Sequence, residues 1–261
     1  MKIADKKILV TGATGGIGKE LCGILSHRGA RLLLSCFDEK QLIELRSCLG
    51  DQHQIIPADI STAEGRARIV TASNEAEGID GVVNLAGILD FNLFTNQPEA
   101  VIEKILAVNL VGMMLLSRGL LPSLLSKPEA SMVNIGSTFG SIGYPGFAAY
   151  CASKAGIRCF TEALSRELAD SSLHISYIAP RATSTGLNSD RVNAMNQALG
   201  NKSDSPDYVA RQITKVLMQN PRTRYLGWPE KLFVQINALI PSVVHKTLVR
   251  QLSVIKQFTN Q

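Results

Sequence analysis

Short unbroken apolar runs alternate along this chain with longer segments whose apolar residues recur every three or four positions. The runs are Lys7–Thr11, Arg31–Cys36, Gln54–Ala58, Gly81–Ala86, Met132–Gly136 and His174–Ala179. Continuous apolar character over so few residues predicts strands buried on both faces. Between them, Lys19–Arg28, Glu39–Leu49, Gly65–Glu77, Ile105–Leu125 and Tyr150–Leu168 have helical spacing. Arg224–Gly227 reads as a last strand. The alternation predicts an α/β chain, a doubly wound parallel sheet of about seven strands with helices on both faces. Such a sheet takes its ligand at the carboxyl ends of the strands, near the switch in strand order.

The pattern changes after Gly186. The segment Gly186–Ser205 is polar, with few apolar anchors. Trp228–Gln261 then has apolar residues at spacings of three and four, from Trp228, Leu232 and Phe233 to Ile255 and Phe258. Two amphipathic helices, broken at Pro241, are expected there. Three roles stay open for this tail. It packs on the body or a partner subunit, it walls a substrate pocket, or it rests on an anionic membrane surface.

Composition narrows the setting. With 261 residues, 45% hydrophobic and 19% charged, the chain suits one large ordered domain, residues 1–261, and no linker marks a boundary. Aromatic content of 5% argues against an aromatic-rich nucleic-acid reader, and no nucleic-acid partner is expected. The net charge is +5. From Arg222 onward the only acidic residue is Glu230, against Arg222, Arg224, Lys231, Lys246, Arg250 and Lys256, so the tail carries that excess. An odd number of cysteines without CxxC spacing, and four scattered histidines, predict neither a disulfide framework nor a metal site. No signal peptide is read at the start, and a cytoplasmic location is expected, peripheral to membrane if the tail touches lipid. The most apolar stretch, Ile105–Leu125, contains Asn109, Arg118 and Pro122. A buried helix fits it better than a membrane span, which needs about 20 uninterrupted apolar residues.

The candidate chemistry begins at the first strand, which runs into Thr11-Gly12-Ala13-Thr14-Gly15-Gly16-Ile17-Gly18 ahead of a helix. Glycines let the backbone approach a pyrophosphate, and the helix N-terminus presents free N–H groups to it. The TGxxxGxG spacing resembles the short-chain dehydrogenase/reductase family, and further marks follow in order. They are Asp59 with Ile60 after the third strand, Asn84-Leu85-Ala86-Gly87, Asn109 in the long helix, Ser137, and Tyr150-Cys-Ala-Ser-Lys154 thirteen residues on. The resemblance spans roughly Lys6 to Thr185 and implies a Rossmann-type fold and an oxidoreductase. It departs from the family at Leu85 and at Arg181, where Pro180 is ordinarily followed by glycine.

Tyr150 and Lys154 stand four apart, on one face of a helix. An ammonium and an oxidised nicotinamide favour phenolate, so the tyrosine pKa is expected to fall. Tyr150 then exchanges a proton with a carbonyl or alcohol oxygen, and Ser137 hydrogen-bonds the same oxygen. By resemblance, Lys154 holds the nicotinamide ribose, Asn109 a relay water, Asp59 the adenine amino group and Thr185 the carboxamide. The cofactor contacts expected are Gly12, Thr14, Gly15, Gly16, Ile17, Gly18, Cys36, Phe37, Asp59, Ile60, Asn84, Ala86, Gly87, Tyr150, Lys154, Pro180 and Thr185.

At the end of the second strand, Cys36 and Phe37 occupy the family's NAD-selecting and NADP-selecting positions. Neither an acid nor an arginine is present, and nothing at Cys36 repels a 2′-phosphate. NADP is favoured and NAD remains possible. Residues 186–205 correspond to the family's substrate lid. The expected activity is NADPH-dependent reduction of a ketone or aldehyde, on a lipophilic substrate such as a fatty acyl or steroid-like carbonyl. The rivals are an NAD-linked alcohol or hydroxysteroid-type dehydrogenase and a non-catalytic dinucleotide-binding sensor or scaffold. By resemblance, a homodimer or homotetramer is expected.

Overall fold

A computed structural model describes residues 1–259. Asn260 and Gln261, the last two residues of the tail as read above, lie outside the described residues.

The elements are β1 (Lys7–Thr11), α1 (Gly16–His27), β2 (Arg31–Cys36), α2 (Glu39–Leu49), β3 (Gln54–Pro57), α3 (Ala63–Glu75), β4 (Gly81–Asn84), α4 (Glu99–Leu106), α5 (Met113–Leu125), β5 (Ala130–Ile135), α6 (Ala148–Glu167), β6 (Leu173–Ala179), α7 (Asp190–Ala198), α8 (Pro206–Gln219), β7 (Thr223–Tyr225), α9 (Glu230–Leu239) and α10 (Pro241–Thr259). The seven strands form one sheet in the order β3-β2-β1-β4-β5-β6-β7, and every neighbouring pair is parallel. The order reverses between β1 and β4, where a crevice opens at the strand ends.

Each strand reads apolar on both sides because each face carries its own core. One layer joins Leu21 and Leu25 of α1 to Val209, Ile213 and Leu217 of α8 over Val10 and Val83. The other joins Ile69 of α3, Leu116 and Leu120 of α5 and Leu164 of α6 over Leu9 and Val82. Side-chain caps fix several of the helix starts. The Asp38 carboxylate accepts from Gln41 N, Thr62 Oγ1 from Gly65 N, and Ser205 Oγ from Tyr208 N, with Pro206 opening α8.

Three differences from the sequence reading have physical causes. The long helix begins at Glu99 rather than Ile105, and a π-helical turn over Ala107–Gly112 joins α4 to α5. The 27-residue helix is long and apolar enough to cross a membrane, yet Asn109 is buried within it and one side packs on the sheet. Helix α8 was not anticipated, although its apolar residues Val209, Ile213, Val216 and Leu217 follow helical spacing. Within residues 186–205, Val192 and Met195 of α7 are buried against Ile255 of α10, so a segment with few apolar residues still docks through them.

The tail breaks at Pro241 as its spacing implies. Val244 and Ile255 of α10 are buried, whereas Leu239, Ile240, Val243 and Val249 are exposed. Helix α10 therefore packs inward along one side, with Val243 at the edge of the cavity, while Leu239, Ile240 and Val249 are left apolar and exposed around the α9–α10 break and the outer side of α10.

Candidate active site

The dinucleotide end is a backbone construction. Gly12 has φ of +66°, and a Cβ there would lie 2.9 Å from the Ala86 backbone. A Cβ on Gly18 would lie 2.3 Å from the Gly12 carbonyl oxygen, so neither site accepts a side chain without moving the main chain. Thr11 Oγ1 accepts from the N–H groups of Leu85 and Ala86, tying the end of β1 to the loop after β4. Gly15 caps α1 without a side-chain acceptor, and no acidic residue stands in the first turn. The helix thus keeps N–H groups and positive dipole available to an anion, as a pyrophosphate requires.

At the adenosine end, Thr14 Oγ1 donates to Cys36 Sγ at 3.0 Å, and Phe37 is 77% exposed at the cavity rim. The Asp38 carboxylate is engaged in capping α2. Asp59 accepts from Ser61 N and Ser61 Oγ, and pairs with Lys104 Nζ at 2.9 Å. Burial pulls its pKa up, but those hydrogen bonds outweigh it and hold the carboxyl below its ordinary value.

The chemical end sits where β5 and α6 meet. Ser137 follows β5 and caps the short turn Thr138–Gly140 by accepting from Phe139 N. Tyr150 and Lys154 lie on the buried side of α6. Lys154 Nζ stands 5.7 Å from the centroid of the Tyr150 ring and donates to Ile135 O at 3.0 Å. Burial pushes the Tyr150 phenol up to about 12, against a hydrogen bond with Ser137 that lowers it. Burial also lowers Lys154 to about 8. The expected fall of the tyrosine pKa is therefore not what the protein alone produces. Lys154 donates to a carbonyl rather than to the phenol, and desolvation of the phenol is the larger effect.

One cavity of about 1150 Å³ connects these ends. It is lined by Gly12, Thr14, Gly15, Gly16, Ile17, Gly18, Cys36, Phe37, Asp59, Ile60, Ala86, Gly87, Ser137, Tyr150, Lys154, Pro180 and Thr185. Two expected residues do not line it. Asn84 is buried in the sheet, where its Nδ2 donates to Ser117 Oγ and Asn134 Oδ1. Asn109 clamps the loop after β4, accepting from Ile88 N and donating to Ile88 O and Ser153 Oγ. The Asn109 amide is wholly engaged and holds the Ile88 backbone, while Asn84 ties side chains of the buried sheet and helix together and leaves its Oδ1 without a partner, so neither side chain meets a ligand directly.

Sequence reasoning also missed residues that line the same cavity. Phe139 stacks on Tyr144, and Phe147 meets both at tilted and edge-on angles beside Tyr150. Their crowding between Ser137 and Tyr150, in a chain of 5% aromatic content, was the available signal. Phe233 of α9 and Val244, Thr247 and Leu248 of α10 complete the far wall. The tail thus packs on the body and walls the pocket.

The fold and site have known counterparts. The family model described as short chain dehydrogenase matches residues 6–196. A nodulation protein G of Rhizobium sp. is 34% identical over 74% of this chain and 78% of its own length. A 3-oxoacyl-(acyl-carrier-protein) reductase FabG of Vibrio cholerae is 30% identical over 89% of this chain and 88% of its own. Among solved structures, a short chain dehydrogenase of Burkholderia cenocepacia in complex with NADP superposes with TM-score 0.82 at 21% identity, covering 95% of this chain and 99% of that one. A Burkholderia phymatum enzyme in complex with NAD does so with TM-score 0.84 at 18% identity, covering 93% and 96%. The family match, the identities and the shared fold agree, and the chain belongs to the short-chain dehydrogenase/reductase family, as an oxidoreductase that works on a CH–OH/C=O pair with a nicotinamide dinucleotide.

Proposed function

We propose that the protein reduces a ketone or aldehyde on a lipophilic substrate, fatty acyl or steroid-like, with NADPH. The observation that carries this reading is the single cavity, which runs from the glycine loop past Tyr150 into a chamber walled by Phe139, Phe147, Met195, Phe233 and Leu248. Such a lining favours an apolar ligand body, with few polar groups fixing its orientation.

Bound at the glycine loop, the dinucleotide supplies hydride to the carbonyl carbon. Gly12, Thr14, Gly15, Gly16, Ile17 and Gly18 hold the pyrophosphate, Asp59 and Ile60 the adenine, Ala86, Gly87, Pro180 and Thr185 the nicotinamide half, and Lys154 its ribose. Tyr150 gives its proton to the carbonyl oxygen, and Ser137 orients that oxygen. A phenol pushed up to about 12 stays protonated at neutral pH, which suits an acid in the reducing direction. Asn109 acts on this set through the Ile88 backbone, and the relay water implied by the family resemblance is assigned to its segment.

NADP is favoured because the end of β2 offers Cys36 and exposed Phe37, while Asp38 is held in the α2 cap, so no carboxylate faces a 2′-phosphate. A homodimer or homotetramer is proposed, because Val111, Met114 and Leu115 leave an apolar stripe exposed on the long helix. The proposed setting is the cytoplasm, with the outer row of the tail resting on anionic membrane. That row joins exposed Leu239, Ile240 and Val249 to Lys246 and Arg250.

Turnover of a panel of medium-chain aldehydes, 3-oxoacyl thioesters and a ketosteroid, with NADPH and NADH in parallel, tests the reading. Reduction is expected on long apolar members with NADPH preferred. A preference of roughly tenfold for NADH would move the assignment to the NAD-linked dehydrogenase. Tight binding of cofactor with no turnover across the panel would move it to a sensor.

A further inference from the structure

Arg181 stands where the resemblance leads one to expect glycine, and its side chain does not face solvent. Its Nε and Nη2 both donate to Asp204 Oδ1, and Nη1 donates to the Glu230 carboxylate and to Trp228 O. The guanidinium and the Asp204 carboxylate are both largely buried. These partners come from three places. Arg181 lies two residues past the end of β6, next to Pro180, and both line the cavity. Asp204 closes the 186–205 segment, where its backbone also bridges Thr183 by bonds to Ala182 O and Ser184 N. Trp228 and Glu230 are the root of the tail. Gly227, at φ +86°, passes so close that a Cβ there would lie 2.6 Å from Arg181 Cδ.

We propose that Arg181 is a positioning residue that clips the lid and the tail to the end of β6, so that these two walls of the substrate chamber move as one unit. The inference rests on the reading of residues 186–205 as lid and of α9–α10 as pocket wall. The physical grounds are geometry and solvation. A planar fork can serve two carboxylates and a carbonyl at once, which a lysine ammonium matches poorly. Burial shields the Asp204 pair from salt, so it holds at ionic strengths that dissolve a surface pair. The lid and tail also meet at α7 and α10, through Val192, Met195 and Ile255. The clip therefore fixes the near ends of two segments whose far parts already touch.

The test uses limited trypsin digestion of the full chain, read by mass spectrometry at Lys202 and Lys231, together with steady-state kinetics on the best carbonyl of the panel. Arg181→Met is expected to speed cleavage at both lysines by roughly tenfold or more, by raising the population of locally open lid and tail. It should raise KM several-fold while kcat changes less, because Tyr150 and Ser137 are untouched. Arg181→Lys should restore part of each effect. Glu230→Gln, a milder change at the less buried partner, should speed cleavage at Lys231 and leave Lys202 near the parent rate. The proposal is overturned if both substitutions at Arg181 leave the two cleavage rates unchanged, or if kcat falls in step with kcat/KM. Digestion needs no substrate, so an enzyme inactive on every carbonyl would sink the reductase reading and leave the clip standing or falling on its own.

Discussion

The residues before Pro180 and those after it build the same cavity by different physics. In the first region the dinucleotide contacts are made by backbone and the reacting side chains are held by it. Gly12 and Gly18 are required because no Cβ fits, α1 offers uncapped N–H groups, and Ser137, Tyr150 and Lys154 have places set by one strand end and one helix face. In the second region the contacts are made by side-chain volume and ion pairs. Met195, Phe233, Val244 and Leu248 fill space, and Arg181 ties their segments together. Backbone sites tolerate few residue types and so leave motifs. Volume-filling sites accept many apolar residues of similar size and leave only periodicity.

The sharpest break of this contrast is at Tyr150. Tyr150→Phe removes the proton donor but keeps the ring that packs against Phe139 and Phe147. Turnover should fall by about 10²–10⁴-fold with dinucleotide affinity nearly unchanged, measured by initial rates and by quenching on cofactor titration. An active variant would remove Tyr150 from the chemistry.

Next in size is Gly18→Ala. The added Cβ meets main-chain oxygen on both Gly12 and Ala13, which cannot rotate away. A stability loss of roughly 2–4 kcal/mol in urea is expected, with cofactor binding lost before the fold. A silent Gly18→Ala would mean the loop shifts freely, contrary to the close packing described.

A smaller effect follows pH. Folded Lys154 is held down to about 8 from an ordinary 10.5, so between those values the unfolded chain binds the extra proton and stability rises with pH. Folded Tyr150 is pushed up to about 12 from 10, so its contribution is present below 10 and is lost as pH rises through 10 to 12. The cofactor-free protein should gain a few degrees of Tm between pH 8 and 10, and Lys154→Met should lack that gain. A parallel pH dependence in the two proteins would assign the gain to other groups.

The smallest expected effect lies on the outer face of the tail. Replacing Leu239, Ile240 and Val249 with glutamate should abolish flotation with anionic vesicles while leaving reduction of a soluble carbonyl near the parent rate. These three residues face away from the cavity. Equal recovery of both proteins with lipid would leave the tail as a pocket wall alone.

Legibility of the site followed the same division. Nearly all expected cofactor contacts line the cavity, because a short loop or a single helix face carries each of them. Asn84 and Asn109 were legible as positions but not as roles. Whether an amide meets a ligand or the scaffold depends on Ser117, Asn134, Ile88 and Ser153, which arrive from elsewhere in the chain. The Tyr150 shift of the protein alone, opposite to the fall expected with an oxidised nicotinamide bound, has a related cause. The sequence places an ammonium four residues away, but only packing determines how dry the phenol is and that Lys154 bonds Ile135 O.

By itself, then, the sequence determined what local geometry can encode: the order of strands and helices, the glycine loop, the pairing of Tyr150 with Lys154, and the break at Pro241. The tertiary structure alone decided which residues face one another across long separations. It brought Phe233 and Leu248 into the cavity that Tyr150 lines, joined Arg181 to Asp204 and Glu230, and turned Asn109 toward Ile88. Local patterns arise from backbone periodicity, which neighbouring residues share. Long-range contacts depend on the closure of the whole sheet and its cover, which no short window of sequence contains.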